Sequence, residues 1–283
     1  MSLRGVAHPP WIRSAPGAGD GYKRVRATLH QLGLHTVCEE ARCPNRGECW
    51  SHGTATFIIM GDVCTRRCHF CAVRKGEPAP LDPAEPRRVA DAVWQLGLEY
   101  VVLTSVDRDD LPDQGAEHFA ATVEAIHRRC PQCRVEALIP DFGRAGVARI
   151  LTTAIVVLGH NIETVPRLYR RVRPGSDYER SLRVISTAKE LRRDVLTKSG
   201  LMLGLGETNA EVLAVAADLR AHGCDILTLG QYLRPSARQL PVARYVTPEE
   251  FDELKTAALK LGFRHVESAP LVRSSYHAWR QLQ

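Results

Sequence analysis

Three cysteines of this 283-residue chain fall in one short run, Cys64-Thr-Arg-Arg-Cys68-His-Phe-Cys71. Thiolates in a C-x3-C-x2-C spacing, just after an apolar β-type run, can wrap one face of an iron–sulfur cubane, which takes cysteine at three or four of its irons. A closed structural zinc site would need a fourth protein ligand. His69 is adjacent, but its place inside the tight loop makes convergence on the same ion awkward. The missing fourth cysteine leaves one iron open to a ligand from outside the protein.

A second trio lies upstream, Cys38-x4-Cys43-x5-Cys49, in the polar, turn-prone segment CEEARCPNRGEC. Loops of this kind build sites. A zinc knuckle completed by His35 or His52 competes with a second iron–sulfur cluster, and the neighbouring trio favours the cluster. This set is also one cysteine short. Cys130-Pro-Gln-Cys133 is a C-x2-C without a partner C-x2-C, so it reads as ordinary reduced thiols rather than a redox pair or half a zinc site. Cys224, entering an apolar strand, reads as a small core residue.

The elements that must position these groups belong to a globular chain. Hydrophobic residues make up 44% and charged residues 25% of it, which excludes disorder, collagen and a coiled coil. A chain this long buries a core without covalent staples, so nine cysteines are not needed for stability, and six of them between Cys38 and Cys71 point to metal binding. There is no apolar run of transmembrane length and no signal-peptide h-region, so a cytoplasmic protein with no membrane association is expected. The net charge of +6 comes from 38 basic and 32 acidic residues dispersed along the chain, and aromatics are 6%. Nucleic-acid binding is not expected.

From about Phe57, apolar β-rich runs alternate with amphipathic helical patterns. The strand-like runs are 57–60, 100–104, 135–139, 155–158, 196–203 and 226–233. Helical patterns cover 114–129 and 179–193. Another opens at the capping box Thr208-Asn-Ala-Glu211 and stops at Gly223; a last one opens at Thr247-Pro248 and ends near Gly262. Such alternation indicates parallel βαβ units, in either a partial barrel or a doubly wound sheet. Ligand-facing groups then gather at the carboxyl ends of the strands: Thr104-Ser105, Asn161–Glu163, Gly204–Gly206 and Gln231-Tyr232. Gly204-Leu-Gly206-Glu207 lacks the third glycine of a dinucleotide fingerprint, although close backbone approach to a ligand fits it. Arg66, Arg67, Arg74 and Lys75 crowd the first cysteine loop, either as a solvated surface or as a face for an acidic partner.

The C-x3-C-x2-C loop with an aromatic before its last cysteine resembles the signature of the radical S-adenosylmethionine (SAM) superfamily. The stretches CEEARCPNRGEC, CTRRCHFCAV, LTSVDRDDL, HNIETVPRLY, TKSGLMLGLGET, GQYLRP and PLVRSSYHA, running from residue 38 to residue 278, with the PPW near Pro9, resemble the lipoyl synthase family within it. Gly159 before His160-Asn161 and Ser176 after Pro-Gly depart from the family pattern, at no ligand position.

The resemblance implies a partial parallel (β/α)6 barrel, of α/β class. Residues 1–53 would form an N-terminal extension with an auxiliary-cluster loop, 54–235 the barrel, and 236–283 a C-terminal extension carrying Arg273-Ser274-Ser275-Tyr276, all in one compact unit. It implies two [4Fe–4S] clusters. One, on Cys64, Cys68 and Cys71, leaves an iron for the amino and carboxylate groups of SAM, whose reductive cleavage yields a 5′-deoxyadenosyl radical. The other lies on Cys38, Cys43, Cys49 and a serine, Ser275 rather than Ser274, and donates sulfur. A hydroxyl is a harder, weaker ligand than a thiolate, which eases release of that iron. Phe70 corresponds to the residue beside adenine, or else packs the loop. Thr104 and Ser105 correspond to contacts with the methionine end, or form an ordinary turn. Asn161 and Glu163 correspond to holders of the ribose hydroxyls, or cap the following helix. The implied reaction inserts two sulfurs, at C6 and C8 of an octanoyl group on a lysine of a carrier protein (a lipoyl domain or glycine-cleavage H protein), with a small acidic electron donor such as ferredoxin or flavodoxin. No side-chain acid or base is assigned. The rival readings are another radical SAM enzyme that inserts sulfur or transfers methylthio groups, which would lack the RSSY end, and an iron–sulfur electron carrier or zinc module.

Overall fold

The computed structural model describes residues 8–14 and 16–282. The chain begins with α1 (Gly19–Gln31), β1 (His35–Thr36), α2 (Val37–Glu40) and α3 (Arg46–Ser51). β2 (Thr56–Ile59) then leads to β3 (Val63–Cys64) and β4 (Arg74–Lys75), which bracket the first cysteine loop. There follow α4 (Glu85–Leu96), β5 (Tyr100–Ser105), α5 (Ala116–Arg129), β6 (Arg134–Leu138), α6 (Arg144–Leu151), β7 (Ile155–Gly159), α7 (Tyr169–Val172) and α8 (Tyr178–Leu191). The chain finishes with β8 (Leu196–Leu203), α9 (Asn209–Ala221), β9 (Ile226–Gln231), α10 (Pro248–Lys260) and β10 (His265–Ser268).

The main sheet has the order β1-β2-β5-β6-β7-β8-β9-β10, with β1 antiparallel to β2 and every other pairing parallel. It does not close: this is a partial barrel. The six strands expected from the apolar runs are present with ends within two residues. Two strands of the main sheet were not legible, nor was the short β3–β4 pair. β1 is two residues long, and β10 reads His-Val-Glu-Ser; its place is set by pairing with Ile226–Leu229 of β9 rather than by an apolar run of its own. The capping boxes at Thr208/Glu211 and Thr247/Glu250 both form, and Gly223 and Gly262, at φ +86° and +92°, follow the helices they stop. Each cap contributes about 1 kcal/mol.

Strand alternation sorts the two faces of the sheet. Val101, Leu103, Val135 and Ala137 enter one apolar layer with α4–α6, and Leu201, Leu203, Leu227 and Leu229 enter a second with α8–α10. The intervening residues therefore face the barrel interior: Tyr100, Val102 and Thr104, then Glu136, then Lys198 and Gly200, then Thr228 and Gly230. That face is polar. Lys198 Nζ lies 2.8 Å from Glu136 Oε1, each side chain only 1% exposed, and Tyr100 Oη donates to Glu136 Oε2 at 2.6 Å. A barrel lined this way is built to hold something.

Candidate functional site

The loop carrying Cys64, Cys68 and Cys71 is closed at its base by the β3–β4 pair, Val63 with Arg74 and Cys64 with Lys75. It is stitched to the chain leaving β5. Thr65 N–H donates to Asp107 O at 3.1 Å, and Asp107 N–H donates to Cys64 Sγ at 3.4 Å. His69 turns away, its N–H to Val172 O and its Nδ1 2.7 Å from Arg171 O, so it is not a fourth ligand. Burial, then Asp107, pushes the Cys64 thiol up to about 12. Burial raises Cys68 to about 11, with Arg173 opposing and Asp107, Cys71 and Glu163 adding to the rise. Thiols held protonated in this way need a cationic centre to become thiolates.

The second trio occupies a segment expected as a polar loop, but the structure gives it two helical turns. Thr36 Oγ1 accepts from Glu39 N–H and starts α2, which carries Cys38; Cys43 lies in the turn and Cys49 in α3. The capping hydroxyl and the fully buried Trp50 explain the difference. Trp50 packs on Tyr22 of α1, with ring centroids 5.2 Å apart. The C-terminal segment lies over this trio. Asn45 Nδ2 donates to Leu271 O at 2.7 Å, and Tyr276 Oη donates to Glu48 Oε1 at 2.9 Å. Gly230 lets that segment approach β9, since a Cβ there would stand 2.0 Å from Val272 O. Cys38, Cys43, Cys49 and Ser275 consequently line one cavity, together with Arg273 and Tyr276. Burial, reinforced by Cys43, raises Cys38 to about 11, and burial with Cys38 and Cys43 raises Cys49 to about 12.

The donor geometry separates the metal readings. Among the described residues, the only three His, Cys, Asp or Glu side chains whose ligand atoms all lie within 4.8 Å of one another are His35, Glu40 and Asp62. Neither cysteine trio meets that spacing. Tetrahedral zinc, with Zn–S near 2.3 Å, brings sulfurs to about 3.8 Å of each other. Both trios are too open for one ion and suit a polynuclear cluster, each with one corner lacking a thiolate. The His35 group is already satisfied: His35 Nδ1 lies 3.1 Å from Glu40 Oε1, and Arg74 Nη2 lies 2.5 Å from Asp62 Oδ2.

At the carboxyl ends of the strands, Ser105 Oγ is buried without a hydrogen-bond partner, on the same face of β5 as Val101 and Leu103. Thr104 Oγ1 donates to Leu138 O at 2.8 Å. Glu163 adopts φ +67°, rare for a non-glycine residue, while its N–H donates to Gly200 O and its carbonyl accepts from Met202 N–H. Burial raises its carboxyl above the ordinary range, with Arg173 and Asn161 opposing. Neither Asn161 nor Glu163 caps the next helical turn, which opens at Pro166 with no side-chain cap. Asn161 Oδ1 instead accepts from Ser274 Oγ at 2.7 Å. Phe70 is half-buried against the apolar layer of β8–β10.

Three expectations change. Arg66 is no free docking charge: it is paired to Asp109 and, at 3.2 Å, to Asp141, and donates to Gly175 O. Arg74 is spent on Asp62, whereas Arg67 and Lys75 stay exposed without an ion pair among the described residues. Gly204 is required by packing within the chain: a Cβ there would stand 2.2 Å from Gln231 Nε2 and 2.4 Å from Arg244 O. Gln231 itself pins residues 244–246, donating to Arg244 O and accepting from Val246 N–H. The sequence reading missed the buried Asp141, which meets Arg66, Arg173 and His160. Burial alone would raise its carboxyl, but the hydrogen bond from the His160 ring and the Arg173 and Arg66 guanidiniums hold it far below the carboxylate range. Nothing in local spacing signalled this cluster, because its members come from four separate segments. All nine cysteines are free, and Cys224 is a buried core thiol, as expected.

Comparison with known proteins agrees with this geometry. Residues 58–219 match the radical SAM superfamily, and residues 4–43 match the N-terminal domain of lipoyl synthase of that superfamily. The chain is 59% identical to a lipoyl synthase of Methylococcus capsulatus, covering 96% of this chain and 86% of that protein. It is 56% identical to one from Rubrobacter xylanophilus (97% and 86%) and 56% identical to lipoyl synthase 2 of Thermosynechococcus vestitus (95% and 96%). Among solved structures, methylornithine synthase aligns with a TM-score of 0.54 at 16% identity, over 90% of this chain and 84% of that one. SuiB of Streptococcus suis bound to SAM aligns at 0.61 and 10% identity, over 80% and 54%. These likenesses establish the radical SAM fold, and the relatives narrow it: the chain belongs to the lipoyl synthase family.

Proposed function

We propose that this chain is a lipoyl synthase, inserting two sulfur atoms at C6 and C8 of an octanoyl group borne on a lysine of a carrier protein. The observation that carries the reading is the pair of three-thiol sets on one barrel, each too open for a single ion, the second sharing its cavity with Ser275. When bound, SAM and the cluster on Cys64, Cys68 and Cys71 supply the hydrogen-abstracting radical, and the auxiliary cluster supplies sulfur. The protein's part is to bind and orient. Thr104 and Ser105, at the carboxyl end of β5, serve the methionine end of SAM; Asn161 and Glu163 hold the ribose diol, for which an amide and a carboxylate are suited. Phe70 stands at the adenine edge. Ser275 offers the auxiliary cluster a ligand weaker than thiolate, suited to an iron that must leave.

Residues 1–53 and 236–283 act in this reading as two extensions on the barrel of 54–235 that close the auxiliary cavity together. The exposed Arg67 and Lys75 form the basic face for a small acidic electron donor of the ferredoxin or flavodoxin type. A reducing cytoplasm matches the need of six ligand positions for intact cysteine thiols. None of the helices among the described residues is long and apolar enough to cross a membrane. The test is anaerobic reconstitution followed by mass spectrometry of an octanoyl-lysine peptide incubated with SAM and dithionite. Two added sulfurs with 5′-deoxyadenosine support the reading. 5′-Deoxyadenosine without sulfur gain would assign another radical reaction, and neither product would remove the enzyme reading.

A further inference from the structure

The adjacent serines of the RSSY segment face different sites. Ser275 lines the cavity of Cys38, Cys43 and Cys49, while Ser274 Oγ donates to Asn161 Oδ1 at 2.7 Å. This contact is built into the barrel. It lies directly on Gly200 of β8, where a Cβ would stand 3.0 Å from Ser274 Oγ, 3.1 Å from Asn161 Oδ1 and 2.5 Å from Thr228 Oγ1. Any side chain at 200 would displace the pair. Asn161 is further held through its backbone, its carbonyl accepting from Arg173 Nη1 at 3.1 Å, so the amide swings only about its side-chain torsions. With Oδ1 taken by the serine, the amide's donor end, Nδ2, is shared between the Glu163 carboxyl and a ligand. The other end of the strap is fastened beside Cys49, where Glu48 Oε1 receives Tyr276 Oη at 2.9 Å and stands 3.2 Å from His277 Nε2.

We propose that Ser274 is a positioning residue that couples the two sites, setting the Asn161 amide for SAM only while Ser275 and the strap are anchored at the auxiliary cavity. The inference rests on the reading of Asn161 as a SAM contact and of Ser275 as an auxiliary ligand. A cluster bound at Cys38, Cys43, Cys49 and Ser275 stiffens residues 273–277 and holds Ser274 against Asn161. Loss of that anchor, as when the cluster is spent, frees the serine, and SAM binding weakens. Coupling is reciprocal, so bound SAM likewise favours the anchored strap. One hydrogen bond sets the scale at about 3- to 10-fold in affinity.

The experiment measures SAM dissociation constants by anaerobic equilibrium dialysis on protein whose first cluster is intact. Each of wild type, Ser274→Ala and Ser274→Thr is compared with and without the auxiliary cluster, the latter in a Cys38→Ala background. Iron content and the visible spectrum report the cluster load, independently of turnover. Wild type is expected to bind SAM about 3- to 10-fold tighter with the auxiliary cluster than without it. Ser274→Ala should bind SAM equally in both states, at the weaker value, and Ser274→Thr, which keeps the donor, should recover the difference. A wild-type difference that survives in Ser274→Ala would overturn the coupling. So would loss of auxiliary iron from Ser274→Ala, because Ser274 would then be the ligand itself. Wild type that bound no SAM in either state would instead refute the underlying assignment of the SAM site, and the coupling with it.

Discussion

Gly230→Ala tests how the auxiliary cavity is assembled. Gly230 faces the barrel interior on β9, and a Cβ there would stand 2.0 Å from Val272 O and 3.0 Å from Val272 C. Both are backbone atoms, so no rotamer relieves the clash. Ordinary contact begins near 3.4 Å, so the strap at Val272 must retreat by about 1.4 Å. Ser275, three residues further on, shares its cavity with three cysteines whose α2–α3 frame is anchored separately by Trp50 and Tyr22. The strap therefore moves away from the thiols instead of carrying them with it. Overpacking of this kind costs about 1–3 kcal/mol, a fall in the unfolding midpoint of roughly 2–5 °C for a chain of this size. The fold survives. Iron per chain should drop from two clusters towards one, SAM should still be cleaved to 5′-deoxyadenosine, and sulfur insertion into an octanoyl-lysine peptide should fall at least tenfold. The measurements are iron and sulfide content, calorimetry and product analysis. A Gly230→Ala protein that kept both clusters and inserted sulfur at the wild-type rate would refute the claim that this close approach positions Ser275.

Substitution separates the two cysteine sets: Cys64→Ala should abolish SAM cleavage, whereas Cys38→Ala should keep cleavage and yield no lipoyl product, as read by chromatography of 5′-deoxyadenosine and peptide mass. The Lys198–Glu136 pair is buried and tied to Tyr100. Glu136→Leu alone should cost about 3–5 kcal/mol by stranding the ammonium, and Glu136→Leu with Lys198→Met should regain most of that loss in denaturant titrations. Asp141 is held far below its ordinary value of 3.8 once His160, Arg173 and Arg66 outweigh burial. A depressed carboxyl stabilises the fold above its unfolded value, and the contribution disappears as pH falls from about 4 through the depressed value. Asp141→Asn should accordingly flatten the loss of stability below pH 4 while lowering stability at neutral pH, measured by unfolding across that range.

The resemblance carried over the ligand cysteines by position, and it favoured Ser275 over its neighbour. What it could not supply was the reason. Ser274 and Ser275 have the same chemistry and adjacent places, so only packing against Gly200 and Gly230 distinguishes them. The basic loop is a similar case. Arg66 and Arg67 are equivalent in composition, yet Arg66 is enclosed by Asp109 and Asp141, which lie 43 and 75 residues away, while Arg67 faces solvent.

What the sequence determined by itself was local: the apolar runs that became β2 and β5–β9, the capping box at Thr208, the helix start at Thr247-Pro248, and the two cysteine spacings. Each depends on a few neighbouring residues, where chain geometry alone limits the outcome. The tertiary structure decided what meets what. β10 has almost no pattern of its own and exists because β9 offers it an edge. The auxiliary cavity joins Asn45 to Leu271 and Glu48 to Tyr276 across more than 220 residues. Contacts at that separation are set by how layers pack and where a glycine permits close approach, and no spacing rule along the chain encodes them.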